Sequence, residues 1–283
     1  MNVTAILLSA GVMVVLGVLF GVILTIADKK FKVEVDPRVE AVRACLGGAN
    51  CGACGYSGCS AYAAALAKGG KDGSVKTNLC APGGDPVSKK VSEILGTGYS
   101  DVEEQVAVVC CNGNCNMTGK KYDYHGTPSC AACNTLFAGN GDCAYGCLGF
   151  GDCVNACPYG AISIRDGIAV IDREICTGCG ICVSKCPKHL ILRHRLTGTV
   201  DVVCANHQDG KTARAVCKNG CIACGKCERT CQYDAIHVED KLAKIDYEKC
   251  VSCGACVEAC PVKCISMAQP TSGGTVAEQN KTC

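Results

Sequence analysis

The sequence predicts an α+β protein made of an N-terminal transmembrane helix, a small cysteine-rich domain and two tandem copies of a second cysteine-rich unit. Three observations support this prediction. They are an uncharged apolar N-terminus, 30 cysteines among 283 residues, and a cysteine pattern that repeats after 74 residues. So many cysteines are typical of either a disulfide scaffold or a metal protein, and their spacing decides between the two.

The N-terminal segment has the length of a membrane span. Residues 1–27 carry no charge, and Ala5–Ile26 is an almost unbroken apolar run. About 20 such residues cross a bilayer as a helix, whereas a cleaved signal peptide has a basic start and a shorter apolar stretch. Lysines follow at Lys29, Lys30 and Lys32, and the positive-inside rule places them in the cytoplasm. We therefore predict a single-pass anchor over 1–27, with its N-terminus outside.

The cysteine-rich body then lies in the cytoplasm, where thiols rarely persist as structural disulfides. The chain has no tryptophan and four phenylalanines, so it has little large apolar surface to bury. Bound metal is an alternative source of folding energy. Both arguments favour metal ligation over a disulfide scaffold.

A first domain over 39–90 follows a linker at 28–38. Cys51, Cys54 and Cys59 share a glycine-rich loop, and Cys80 returns after a predicted helix from Ser60 to Lys68. A zinc ribbon has paired CxxC halves, whereas three close cysteines with one remote partner favour a [4Fe–4S] cluster. We predict a small Fe–S domain, with Cys45 outside the ligand set.

The strongest motif is the run Cys176–Pro187, which recurs as Cys250–Pro261. It has the C-x2-C-x2-C-x3-C-P spacing of bacterial two-cluster ferredoxins, in which the fourth cysteine ligates the other cluster. A third copy spans Cys221–Cys231, and an altered fourth spans Cys143–Pro158.

These copies form a longer repeat, because adding 74 to nine cysteines between Cys130 and Cys186 gives nine further cysteines between Cys204 and Cys260. The sequence therefore predicts two ferredoxin-like units at 130–203 and 204–268. A connecting segment at 91–129 precedes them and a tail at 269–283 follows.

Swapped ligation assigns four further sites. The copies predict Cys157, Cys176, Cys179 and Cys182 for one cluster, and Cys231, Cys250, Cys253 and Cys256 for its repeat. Cys260 joins Cys221, Cys224 and Cys227. In the altered copy Phe150 replaces a ligand, and the nearest substitute predicts Cys143, Cys147, Cys153 and Cys186.

Five [4Fe–4S] clusters follow, with a sixth if Cys111, Cys115, Cys130 and Cys133 bind one rather than being buried thiols. Five clusters with four thiolates each would outweigh the formal charge of +2, so the mild basic excess predicts no nucleic-acid binding. Electron transfer by clusters requires no catalytic side chain, and none is predicted.

The order of these parts resembles the family of B subunits of the Rnf complex, in the long form of clostridia-like bacteria. The resemblance rests on the anchor, on Asn50–Cys59 with Cys80–Gly84, and on the tandem ferredoxin motifs. It implies a membrane ferredoxin:NAD⁺ oxidoreductase that translocates Na⁺ or H⁺. The B subunit of such a complex would take electrons from reduced soluble ferredoxin and pass them to membrane and flavin subunits in the lipid bilayer.

Two other classes stay open at this point. One is the electron-wire subunit of a hydrogenase or formate dehydrogenase, which the same cluster motifs would serve. The other is a zinc or metal-storage protein, which would contain metal without acid-labile sulfide.

Overall fold

The structure is a computed structural model that describes residues 3–30, 36–70, 72–196 and 200–267. The predicted tail at 269–283 and residues 31–35 of the linker, which include Lys32, lie outside the described residues. Helix α1 runs from Val3 to Lys30 and ends in two lysines. Among the described residues, no helix combines the length and the hydropathy needed to cross a membrane. The transmembrane assignment stays a prediction.

The first cysteine domain is helical, with α2 at Pro37–Cys45, α3 at Cys59–Gly69, a 3₁₀ turn at Ala81–Gly83 and α4 at Gly84–Leu95. Asp36 caps α2, because its carboxylate accepts a hydrogen bond from the Arg38 backbone N–H at 2.9 Å. The helices bury a common core that includes Val42, Leu66 and Leu95.

Two units of the same architecture follow. Unit 1 contains β1 (Gln105–Val109), α5 (Cys130–Asn134), α6 (Asp152–Asn155), β2 (Ile162–Arg165), β3 (Ile168–Ile171), α7 (Ile181–Lys185) and β4 (Ile191–Arg195). Unit 2 contains β5 (Val200–Val202), α8 (Gly210–Val216), α9 (Lys226–Thr230), β6 (Ile236–Glu239), β7 (Leu242–Ile245), α10 (Ala255–Ala259) and β8 (Ile265–Met267).

Each unit has one hairpin and one long-range strand pair. The hairpins are β2–β3 and β6–β7, and the first turns at Asp166–Gly167 with positive φ at both residues, as a type I′ turn requires. The long-range pairs are β1–β4 and β5–β8, all antiparallel.

The strand pairing corrects the predicted unit boundaries. Strand β1 lies inside the predicted connecting segment, yet it pairs with β4 of unit 1. Strand β5 lies inside the range predicted for unit 1, yet it pairs with β8 of unit 2. The cysteine repeat could not locate these strands, because they contain no cysteine.

A buried carboxylate joins the two units. Asp201 on β5 is 4% exposed. It pairs with Arg173 at 2.5 Å and with His194 of β4 at 2.8 Å. Tyr247 donates a hydrogen bond to the same carboxylate at 3.0 Å, and its ring stacks on His194. Since Arg173 and His194 belong to unit 1, this network connects unit 1 to unit 2.

Candidate metal centres

The loops that carry the cysteine runs share one backbone shape. In each run the residues immediately before and after the second cysteine have positive φ. They are Gly178 and Gly180, Ala223 and Gly225, and Ser252 and Gly254. Gly178 has a second requirement, because a Cβ there would collide with the carbonyl oxygen of Gln105. The altered copy keeps the shape with Gly149 and Gly151 on either side of Phe150.

Site 1 consists of Cys51, Cys54, Cys59 and Cys80 in the first domain. Cys59 begins α3, and the Asn50 side chain accepts a hydrogen bond from its N–H at 2.9 Å. Burial raises the pKa of the Cys80 thiol, and the charges of Cys59 and Cys51 add to the rise. Cys54, Cys59 and Cys80 all pack against the core of this domain. The structure therefore brings the predicted residues together around the start of α3.

Site 2 consists of Cys157, Cys176, Cys179 and Cys182. Burial raises the pKa of the Cys182 thiol to about 11, with further contributions from Cys176, Cys179 and Cys157. Cys157 thus lies beside the following triplet, as the swapped pattern predicts. Site 1 is adjacent, because Cys51 is among the groups that raise the pKa of Cys179, after burial. Burial raises the pKa of Tyr159, and nearby Cys179, Cys51 and Cys80 add to the rise.

Unit 2 holds two sets. Site 4 is Cys221, Cys224, Cys227 and Cys260, where burial and then the other three cysteines raise the pKa of Cys227 to about 11. Site 5 is Cys231, Cys250, Cys253 and Cys256, and all four line one cavity. Cys224 and Cys253 are exposed.

Site 3 differs from the prediction in one residue. Its cavity is lined by Cys147, Cys153, Cys186 and Cys130. Burial raises the pKa of Cys153 to about 12, and Cys147, Cys130 and Cys186 add to the rise. Cys143, predicted as the fourth member, lines a different cavity. Cys143 was predicted because it is the nearest spare cysteine in the sequence. The chain path instead brings Cys130 to the cavity in which Phe150 replaces a ligand.

Asp152 positions Cys130. It is the first residue of α6 and the neighbour of Cys153, and its carboxylate accepts hydrogen bonds from the N–H groups of Cys130 and Ala131, both at 3.0 Å. Burial opposes ionisation of Asp152, but these donors outweigh it and hold its pKa below the usual range. The carboxylate thereby fixes the start of α5 beside α6. The contact between Ser129–Cys130 and Asp152, which is distant in the sequence, places Cys130 at site 3. Cysteine spacing alone does not reveal this contact.

The structure does not gather the suggested sixth set of Cys111, Cys115, Cys130 and Cys133 around one cavity. Cys130 lines the site 3 cavity, while Cys111 lines the same cavity as Cys143. Cys115 is disulfide-bonded. Cys133 is fully buried, with its sulfur 3.6 Å from the Asn140 side-chain oxygen.

The donor set of each site fits an iron–sulfur cluster. Among the described residues, no group of three or more His, Cys, Asp or Glu side chains is arranged to hold a metal ion. A single zinc ion needs sulfurs about 3.8 Å apart, because each Zn–S bond is about 2.3 Å long. A [4Fe–4S] cluster takes its four thiolates on separate irons. Backbone N–H groups also contact the sulfurs, Leu190 to Cys186 and Ala235 to Cys231, each at 3.4 Å.

Family models match three stretches of the chain. An Fe-S cluster model covers residues 46–81, a 4Fe-4S binding domain covers 169–191, and a 4Fe-4S dicluster domain covers 215–267. These stretches contain all of sites 1, 4 and 5, three of the four cysteines of site 2, and Cys186 of site 3.

Three relatives extend the likeness to most of the chain. The chain is 43% identical over 263 residues to the B subunit of the Na⁺-translocating ferredoxin:NAD⁺ oxidoreductase complex of Acetobacterium woodii, covering 93% of this chain and 78% of that protein. It is 41% identical to the B subunit of the ion-translocating oxidoreductase complex of Methanosarcina acetivorans, covering 92% and 97%. The chain belongs to the family of Rnf B subunits.

A third Rnf relative is the B subunit of the proton-translocating ferredoxin:NAD⁺ oxidoreductase complex of Clostridium ljungdahlii, 40% identical over 83% of this chain and 82% of that protein. With its Fe–S domains, this Rnf protein is an iron–sulfur electron-transfer subunit of an oxidoreductase complex. Its partners include the other subunits of that complex.

Proposed function

We propose that this subunit accepts single electrons from reduced soluble ferredoxin and relays them to partner subunits that reduce NAD⁺ and translocate Na⁺ or H⁺. The observation that carries the proposal is the set of cavities lined by four cysteines, at site 3 and site 5. The relatives support the reaction, since they are named as subunits of ferredoxin:NAD⁺ oxidoreductase complexes that translocate Na⁺ or protons.

Sites 1 to 5 would each hold one [4Fe–4S] cluster, with Cys130 rather than Cys143 at site 3. The clusters supply one-electron chemistry. The chain contributes thiolate ligands, burial and fixed positions. Cys153, Cys182 and Cys227 are each less than 9% exposed. This burial excludes water from the thiolates. The three cysteines lie on the short helices α6, α7 and α9, which fix their positions.

Unit 2 is the proposed entry point for electrons. Cys224 at site 4 and Cys253 at site 5 are exposed, whereas Cys179, the equivalent of Cys253 in unit 1, is buried. A soluble donor must approach a site near the surface to exchange an electron with it. Site 1 is the site that follows α1 most closely in the sequence. In this proposal it passes electrons on to membrane partners.

The anchor is also part of the proposal. Helix α1 has 28 residues, and at about 1.5 Å per residue it would extend about 42 Å, against a hydrocarbon core of about 30 Å. The apolar run Ala5–Ile26 and the lysines after it support a single pass with the N-terminus outside.

Iron and acid-labile sulfide analysis of the anaerobically purified chain tests the electron-transfer proposal. Sites 1 to 5 require about 20 iron and about 20 sulfide per chain. Adding reduced ferredoxin should then produce the EPR signals of reduced clusters. Iron below about 8 per chain, zinc without sulfide, or clusters that reduced ferredoxin leaves oxidised would contradict it.

A membrane-impermeant maleimide applied to intact cells tests the topology. It should label an Asn2→Cys variant and leave Cys80 unlabelled. Labelling of Cys80 in intact cells would reverse the orientation. Failure of both positions to react in intact cells, with reaction of both after lysis, would place the N-terminus inside and refute the single pass.

A further inference from the structure

Four cysteines outside sites 1 to 5 line a cavity where unit 1 meets unit 2. They are Cys111 from the loop after β1, Cys143 from the loop before α6, and Cys204 and Cys217 at either end of the α8 segment. The cavity has a volume of ≈ 20 Å³, the same as the cavities of sites 3 and 5. These four residues are named the junction site.

The sulfurs of the junction site approach common neighbours. A Cβ placed on Gly113 would lie 3.5 Å from the Cys217 sulfur and 3.6 Å from the Cys111 sulfur. Asn206 links the other pair, because its side-chain nitrogen lies 3.6 Å from the Cys143 sulfur and its backbone nitrogen lies 3.5 Å from the Cys204 sulfur. Asn206 is 1% exposed, so a buried polar side chain is directed at this group of thiols.

Chain contacts across the junction hold the ligands in place. The N–H of Asn112 donates to the Val203 carbonyl at 3.0 Å, and the Asn219 side chain donates to the Asn112 carbonyl at 3.3 Å. Thr118 forms a β-bridge with Cys217. The loop after β1 is thus fastened to unit 2 on both sides of the cavity.

Buried free cysteines usually pack as small apolar side chains. The junction cysteines instead line a cavity together with three asparagines, Asn112, Asn206 and Asn219. Four thiols around one cavity match the donor set of sites 3 and 5.

We infer that Cys111, Cys143, Cys204 and Cys217 bind a sixth [4Fe–4S] cluster between the two ferredoxin units. The inference rests on the proposed function. The sixth cluster would be an electron carrier between site 3 of unit 1 and site 4 of unit 2. The N–H of Cys147, a site 3 residue, donates to the Cys111 sulfur at 3.4 Å. The N–H of Cys221, a site 4 residue, donates to the Cys204 sulfur at 3.3 Å. The junction site therefore touches site 3 on one side and site 4 on the other.

Metal analysis of the anaerobic full-length chain, combined with Mössbauer and EPR spectroscopy, tests this inference. The wild-type chain should contain about 24 iron and about 24 sulfide. Cys143→Ala and Cys217→Ala should each lose up to about four of both, while the signals of the other five clusters persist. Cys133→Ala, at a buried thiol outside every site, is the matched control and should lose none.

The outcomes separate the inference from the proposed function. A wild-type chain with about 20 iron, and no loss in either alanine variant, would overturn the sixth cluster while leaving sites 1 to 5 intact. One zinc per chain that disappears in Cys217→Ala would also overturn it. If Cys217→Ala loses signals from every cluster, Cys111→Ala tests the same site from a different segment. Selective loss there supports the cluster, and unchanged iron refutes it.

Discussion

Unit 1 and unit 2 are copies of one architecture that complete equivalent sites in different ways. In the proposed ligand sets, site 4 takes its second loop ligand from Cys224, whereas Phe150 occupies that position in unit 1 and Cys130 lines the site 3 cavity. Cys204, the repeat of Cys130, lines the junction cavity instead. On this proposal, a duplicated cysteine changes its site when a second ligand is lost or gained.

The largest effect should come from Cys130→Ser. It removes the proposed fourth ligand of site 3, so we expect loss of up to about four iron or a changed EPR signal for that cluster. Cys143→Ser is the comparison variant and should leave the site 3 signal unchanged. A site 3 signal that responds to Cys143→Ser and ignores Cys130→Ser would restore the ligand set predicted from sequence.

The second prediction makes unit 1 resemble unit 2. In a Cys130→Ser/Phe150→Cys double variant, the new thiol stands where Cys224 stands in unit 2, between residues of positive φ in both units. We expect the site 3 iron and EPR signal to return. Phe150→Ala in the same Cys130→Ser background controls for the loss of the phenyl ring against Tyr124. Equal recovery in that control would show that the thiol is not responsible.

The third prediction concerns the contact between the units. Asp201→Asn removes a buried charge that faces Arg173 and His194, which should cost about 3 kcal/mol because a buried ion-pair network loses its central carboxylate. Hydrogen exchange of the β5 amides measures this local opening without requiring two-state unfolding. Glu239→Gln, which removes an exposed pair with Lys244, should change it by less than about 0.5 kcal/mol. Equal effects of the two variants would contradict the role of the buried network.

The smallest effect should be a shift in reduction potential. Lys188 lines the site 3 cavity, where unit 2 has Val262, and its ammonium donates to the carbonyls of Ala138 and Ala144 at 2.5 Å each. Burial and the charge of Lys121 lower the pKa of Lys188, while the thiolates of Cys143, Cys133 and Cys186 oppose this. A nearby cation favours the more negative reduced cluster.

Lys188→Met should therefore lower the potential of the site 3 cluster by tens of millivolts in an EPR-monitored redox titration. Lys90→Met on α4 is the matched control and should leave that potential unchanged. A higher potential in Lys188→Met would contradict the electrostatic argument.

Sequence spacing was most informative where ligands are local. The runs at Cys176–Cys186 and Cys250–Cys260 predicted the placement of Cys157 beside its triplet, because the spacing of a ferredoxin run dictates its chain path. Spacing failed at Cys130, Cys143 and β1. Their positions depend on the Asp152 cap, on the β1–β4 pair and on closure of long loops, none of which leaves a periodic pattern.

The order of the ligands along the chain has a consequence for biosynthesis. Site 1 has all four cysteines by residue 80, and site 2 by residue 182. The junction cysteines start at Cys111 but end at Cys217, so a chain that emerges N-terminus first completes this cavity only after unit 1 and the first part of unit 2 have been made. A cluster inserted there would join segments from both units and prevent them from separating once the nascent chain is finished.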